Sequence, residues 1–97
     1  MHSDMHAALA ASEHRVIQGI ALLSDEARAI LSATPDDFRR TLGAALYDIH
    51  APEEASDYGR GLHFGRALGI LGAGAALSVL TYHQLEVLMA SLKAMHK

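Results

Sequence analysis

The chain has 97 residues, a formal net charge of −3 and no cysteine, so it has the length of one small domain and no disulfide, iron–sulfur cluster or thiolate zinc site. Its eight basic residues are scattered and form no run, so the sequence contains no electrostatic signal that favours binding to nucleic-acid phosphates. Hydrophobic residues make up 51% of the chain, with no Trp, two Phe and three Tyr, so the core must be built from aliphatic residues and alanine, which favour helices.

The first predicted helix covers residues 3–23, and a second, shorter helix follows it. Ser24, followed by two acidic residues, predicts an N-cap, and the short helix then continues to Ala33. The pattern leaves open whether this helix is separate or a bent continuation of the first. Apolar residues of the first helix recur at steps of three, four and seven and so share one face: Met5, Leu9, Val16, Ile20 and Leu23.

The third predicted helix begins at the clearest start signal in the N-terminal half. Thr34 is expected to cap it and Pro35 to occupy its first position, while two aspartates follow near the exposed N–H groups. We expect this helix to end near His50, because the residue before Pro52 is disfavoured in the α conformation. A polar connection then leads to the next helix.

The most distinctive segment is the fourth predicted helix, which begins at Pro52 or Asp57 and contains glycines spaced four residues apart. Each glycine inside a helix costs about 1 kcal/mol relative to alanine, and the usual compensation is the close approach of another backbone. Because the helix is apolar nearly all round beyond Arg66, we expect it to be central in the fold. The predicted helix-docking face consists of the glycines and a bulkier neighbouring row: Gly61, Gly65, Gly69, Phe64 and Leu68.

A capping box marks the start of the last predicted helix. Thr81 is expected to cap it and Gln84 to bond back to the cap, while Leu80 and Leu85 stand at the positions of a hydrophobic staple. Residues 61–95 are therefore expected to form a helical hairpin. The predicted fold is an all-α bundle of four or five helices that forms a single domain over residues 1–97.

The glycine row has three possible arrangements. It can pack within the chain, form a symmetric dimer, or belong to a membrane helix, since residues 67–85 contain no charged side chain. The helix start at Thr81 interrupts that apolar run and leaves it shorter than the roughly 20 residues that a spanning helix needs, so we do not expect a membrane protein. The candidate packing partners within the chain are Ala7, Ala11, Ala44 and Ala45.

The histidines and acidic residues do not form a recognisable reactive site. Seven histidines are present, and His2 and His6 have the spacing of a helical metal clip, but no further ligands complete it. An acidic patch with one imidazole lies on a solvated connection without apolar residues to desolvate it, which argues against acid–base catalysis. We therefore expect no enzymatic activity, no cofactor and no resident metal. The patch comprises Asp48, His50, Glu53, Glu54 and Asp57.

These patterns together predict a non-enzymatic protein–protein interaction module, such as a small accessory, inhibitor or adaptor protein. We expect it to form a homodimer through the glycine-spaced helix. The alternatives are a DNA-binding regulator that uses Arg39, Arg40 and Arg60, and a membrane-associated helical hairpin. The first residues lack the basic and long apolar segments of a signal peptide, so we expect a cytoplasmic protein.

Overall fold

The computed structural model describes residues 2–51 and 56–96, which form five α-helices and no strand. The predicted all-α bundle is therefore confirmed, and the second helix is separate from the first. The helices are α1 (His2–Ala21), α2 (Asp25–Ser32), α3 (Asp36–Ile49), α4 (Asp57–Ala76) and α5 (Tyr82–His96).

Side-chain caps fix the starts of α2 and α4. The hydroxyl of Ser24 accepts the N–H of Ala27 at 3.3 Å, and the hydroxyl of Ser56 accepts the N–H of Gly59 at 2.9 Å. Each cap satisfies one of the N–H groups that have no partner inside the helix. The second cap places the start of α4 at Asp57, the later of the two predicted positions.

The capping box at α5 is confirmed in both directions. The N–H of Gln84 donates to the Thr81 hydroxyl at 3.1 Å, and the N–H of Thr81 donates to the Gln84 side-chain oxygen at 2.9 Å. Leu80 is buried in the core, and Leu85 is partly buried and packs against the same core cluster. Both residues at the staple positions therefore hold the start of α5 against the core.

The expected role of Thr34 as the cap of α3 is wrong. Its hydroxyl donates instead to the carbonyl of Leu31 at 2.6 Å, and α3 begins after Pro35 without a side-chain cap. Thr34 thus satisfies a carbonyl at the end of α2, where the last four carbonyls lack helical partners. Asp36 and Asp37 still occupy the first turn of α3, as predicted.

Helix α3 packs against α1 and α4, while α5 contacts α4 and α2. Helix α4 therefore lies between α3 and α5, but it is not buried all round, because one of its sides is exposed. The large side chains of α4 determine which side of this helix is buried, because glycine and alanine on the other side would gain little free energy from burial. One core cluster among the described residues includes Leu31, Leu42, Leu46, Ile49, Leu71, Leu88 and Leu92.

Helices α1 and α3 cross closely at two buried glycines. A Cβ atom built on Gly19 would overlap the Gly43 carbonyl oxygen and lie 2.8 Å from the Tyr47 amide nitrogen. A Cβ atom on Gly43 would lie 2.8 Å from the side chain of Val16. Here glycine does allow two backbones to approach closely, although the sequence indicated this role for the glycines of α4.

The turn between α4 and α5 contains Ser78, which has a φ of 61°. The N–H groups of Val79 and Leu80 both donate to the carbonyl of Gly74, at 2.8 and 3.1 Å. Gly74 is buried against the ring of Phe38, which leaves no room for a Cβ. The predicted boundary between two C-terminal helices is therefore present at this turn.

Candidate docking surface on α4

The structure separates the predicted docking residues onto two sides of α4. Gly61, Gly65 and Gly69 are exposed, and a Cβ atom built on any of them would meet nothing within 4 Å. Phe64 and Leu68 are half-buried and pack against the core. The glycine row thus does not pack against another helix of this chain in the described residues, and the bulky row packs against the core instead.

Large apolar side chains share the exposed side with the glycines. Tyr58, Leu62 and Leu77 are 78%, 58% and 76% exposed. Glycine spacing alone does not predict these three residues, although the four-residue step from Tyr58 to Leu62 is itself a helical signal. We call this exposed side the α4 face; it comprises Tyr58, Gly61, Leu62, Gly65, Gly69, Gly72, Ala73, Ala76 and Leu77.

The α4 face changes in bulk along the helix. Tyr58 and Leu62 stand near its start, and small residues occupy most of the rest until Leu77. Helical geometry makes α4, with 20 residues, about 30 Å long. The result is a long strip with large side chains at both ends and small residues in the middle.

Charged residues of α4 lie at its start and along one flank of this strip. Arg60 and Asp57 form an ion pair at 2.5 Å in the first turn. Arg66 lies 3.3 Å from Asp48 of α3 and is drawn towards that helix. No acidic or basic residue follows Arg66 in α4, which is unusual because an exposed helix side is ordinarily polar or charged.

The arginines considered for DNA binding have carboxylate partners. Arg39 and Arg40 bond to the two carboxylate oxygens of Asp36 at 2.7 and 2.6 Å, and Arg40 also pairs with Glu13 of α1 at 2.5 Å. Hydrogen bonds from Arg39 and then from Arg40 lower the pKa of the Asp36 carboxyl. Arg60 pairs with Asp57 in the same way, so phosphate binding would have to compete with these contacts.

The described residues of the acidic patch bond to separate partners. Asp48 pairs with Arg66, Asp57 pairs with Arg60, and the His50 ring N–H donates to the Met95 carbonyl at 2.9 Å. Glu53 and Glu54, and the side chains of His2 and His6, lie outside the described residues. In the part of the chain that the structure does describe, no three His, Asp or Glu side chains are grouped to hold a metal ion.

The α4 face is therefore the candidate site that stands out by its chemistry. Over residues 2–51 and 56–96, none of the helices is both long and apolar enough to cross a membrane. No protein-family model matches the chain, and no curated protein or solved structure matches it either.

Proposed function

We propose that the protein is a non-enzymatic protein–protein interaction module that forms a homodimer through the α4 face. The observation that carries this proposal is the exposed row of glycines between large exposed apolar side chains, with open space above each glycine. An exposed apolar strip of this kind is typical of a protein-binding surface. The absence of cysteine is compatible with work in a reducing cytoplasm.

The glycines supply an energetic reason for a partner. Gly61, Gly65, Gly69 and Gly72 each cost about 1 kcal/mol relative to alanine, and alanine would fit at each position without contact. No contact among residues 2–51 and 56–96 therefore compensates for them. A second helix that approaches closely would gain dispersion contacts along the whole flat strip, which bulkier residues would prevent.

The shape of the α4 face favours a second copy in the antiparallel orientation. A twofold axis that crosses the exposed side of α4 at the level of Ala67 would place Tyr58 opposite Ala76 of the second copy, and Leu62 opposite Gly72. Tyr58 and Leu62 then meet small residues at both ends of the pair, while Leu77 lies just beyond the last residue of each α4. A parallel pair would place Tyr58 against Tyr58 and leave a gap along the glycines.

Sedimentation equilibrium of the wild type and Gly65→Leu tests the dimer. We expect a dimer at tens of micromolar for the wild type and a monomer for Gly65→Leu, because a leucine in the middle of the strip holds the helices apart. Far-UV circular dichroism should show that the variant remains helical, since the added side chain points into open space.

Ala29→Leu is the matched control. Ala29 is an exposed residue of α2, so this variant adds the same apolar bulk away from the α4 face. It should dimerise like the wild type. A monomeric wild type at tens of micromolar, or equal weakening by both substitutions, would remove the α4 face as the dimer contact.

A further inference from the structure

A second surface lies between α5 and the junction of α1 with α2. It is an open groove of about 630 Å³. No residue of α4 lines it, so it is separate from the α4 face. The lining residues on α5 extend from His83 to Met95, a distance of about 18 Å along the helix, which matches three turns of a bound helix.

Half of the residues that line the groove are apolar, and two of these are alanines. Ala90 and Ala94, one helical turn apart, lie beside Val87 on α5, and Leu22 forms the opposite wall with 45% of its surface exposed. Small residues at four-residue spacing let another helix approach closely, and the flanking aliphatic side chains fill the space beside it. This arrangement suits the apolar side of an amphipathic helix.

The charged side chains that line the groove are both acidic. Glu26 projects from the first turn of α2 and Glu86 from α5, and both are exposed. A helix lying between them would meet a carboxylate on each side. Charge complementarity therefore specifies lysine or arginine at the margins of the ligand's apolar side.

The groove is preformed, because hydrogen bonds fasten its walls. The Ser24 N–H at the α1–α2 junction donates to the Ser91 hydroxyl of α5 at 2.9 Å. At the far end, His50 of α3 bonds to the Met95 carbonyl. A ligand would therefore bind without first ordering the two walls, which reduces the free-energy cost of binding.

We propose that this groove binds a basic amphipathic helix of a partner protein, with its apolar side on Leu22, Val87 and Ala90 and its basic side chains beside Glu26 and Glu86. The proposal goes beyond homodimerisation and uses different residues. One chain would thus bind a copy of itself through α4 and a foreign helix through α5.

Fluorescence anisotropy with a designed peptide tests this site. The probe is a labelled 16-residue helix with leucine on one side and lysine along both margins; its comparison peptide has glutamate in place of each lysine. We expect saturable binding of the lysine peptide in the micromolar range and no saturation with the glutamate peptide. Absence of saturable binding of the lysine peptide, or equal binding of both peptides, would overturn the proposal.

Glu86→Lys and Asp37→Lys form a matched pair of protein variants. Both residues are exposed and both substitutions change the net charge equally, but Asp37 lies on α3 outside the groove. We expect Glu86→Lys to weaken binding of the lysine peptide about fivefold or more, the effect of losing roughly 1 kcal/mol. Asp37→Lys should change the affinity for this peptide by less than about twofold. Equal effects would mean that only net charge matters, against the proposal.

Two further measurements separate this site from the α4 dimer. In the Gly65→Leu background the lysine peptide should bind as tightly as to the wild type, so a failure of the dimer proposal leaves this result unaffected. Sedimentation of Glu86→Lys should show the same self-association as the wild type. If Glu86→Lys instead becomes monomeric, the groove's occupant is a second copy, and the partner-helix proposal is wrong.

Discussion

A methyl group added at Gly19 would overlap the carbonyl oxygen of Gly43, whereas one added at Gly65 would stand in open space. The two glycines therefore differ in what they do for the folded chain. At Gly19 the missing side chain lets α1 contact the backbone of α3. At Gly65 it leaves a flat place on the surface and gives the single chain no contact.

Alanine at these two positions should change stability in opposite directions. We expect Gly19→Ala to lower the free energy of unfolding by about 2 kcal/mol or more, because α1 must shift away from α3. Gly65→Ala should raise it by up to about 1 kcal/mol through helix propensity. Urea unfolding at low micromolar concentration, where dimerisation contributes little, measures both; a neutral Gly19→Ala would contradict the crossing described above.

At the scale of single helices, local chemistry explains what was predictable. Ser24 and the Thr81–Gln84 pair cap helices through bonds to residues three positions away, so nearby sequence contains the whole signal. Thr34 was assigned to the wrong helix because one hydroxyl can either accept from the helix after it or donate to the helix before it. The prediction failed there because both options are local and similar in energy.

Which helix sides meet was much less predictable. Gly19 looked like a weak point in α1, and the row in α4 looked like the packing device, yet only the first glycine lies in a close crossing. Helix pairing depends on how all large side chains fill one core, and Leu42 and Leu71 contribute to it from distant parts of the chain. Spacing identifies a flat helix side but does not say which partner covers it.

An ion-pair cluster joins α1 to α3 and should make stability depend on pH. Asp36 accepts hydrogen bonds from Arg39 and Arg40, and these bonds lower its pKa from the ordinary value of 3.8. A carboxyl whose pKa is lower in the folded state stabilises that state above its unfolded pKa. This contribution is lost as the pH falls below 3.8 through the folded pKa.

Asp36→Asn should therefore be less stable than the wild type near neutral pH, and the difference should shrink as the pH falls below 3.8. Urea unfolding of both proteins across this range at low salt gives the comparison. Added NaCl should reduce the difference near neutral pH, because all the partners are partly exposed and salt screens such pairs. A difference that is the same at every pH would show that the ion pairs do not contribute.

At the scale of the whole molecule, two surfaces have distinct chemistry. The α4 face is flat and lacks carboxylates, and the groove beside α5 is concave with Glu26 and Glu86 on its walls. The start of α1 adds a third apolar area, because Met5 and Leu9 continue the side that is buried at Val16 and yet are 65% and 63% exposed. Exposed apolar areas of this kind are the surfaces that the proposed dimer and the proposed partner helix would cover.

The orientation of the proposed dimer can be tested by disulfide trapping, since the chain has no cysteine of its own. In an antiparallel pair centred near Ala67, Tyr58→Cys of one copy meets Ala76→Cys of the other. Oxidation of a mixture of the two variants, one carrying a size tag, should yield the mixed disulfide. Each variant alone should remain uncrosslinked, because its two thiols lie at opposite ends of the pair, beyond disulfide reach.

The same experiment identifies the alternatives. A parallel pair would crosslink each variant with itself, because equal positions face each other across the interface. Adding Gly65→Leu to both variants should abolish the mixed disulfide if it forms within the α4 dimer, while random collisions would be unaffected. Mixed crosslinks that persist with Gly65→Leu would show that the thiols meet without the α4 contact, and crosslinking of each variant with itself would reverse the proposed orientation.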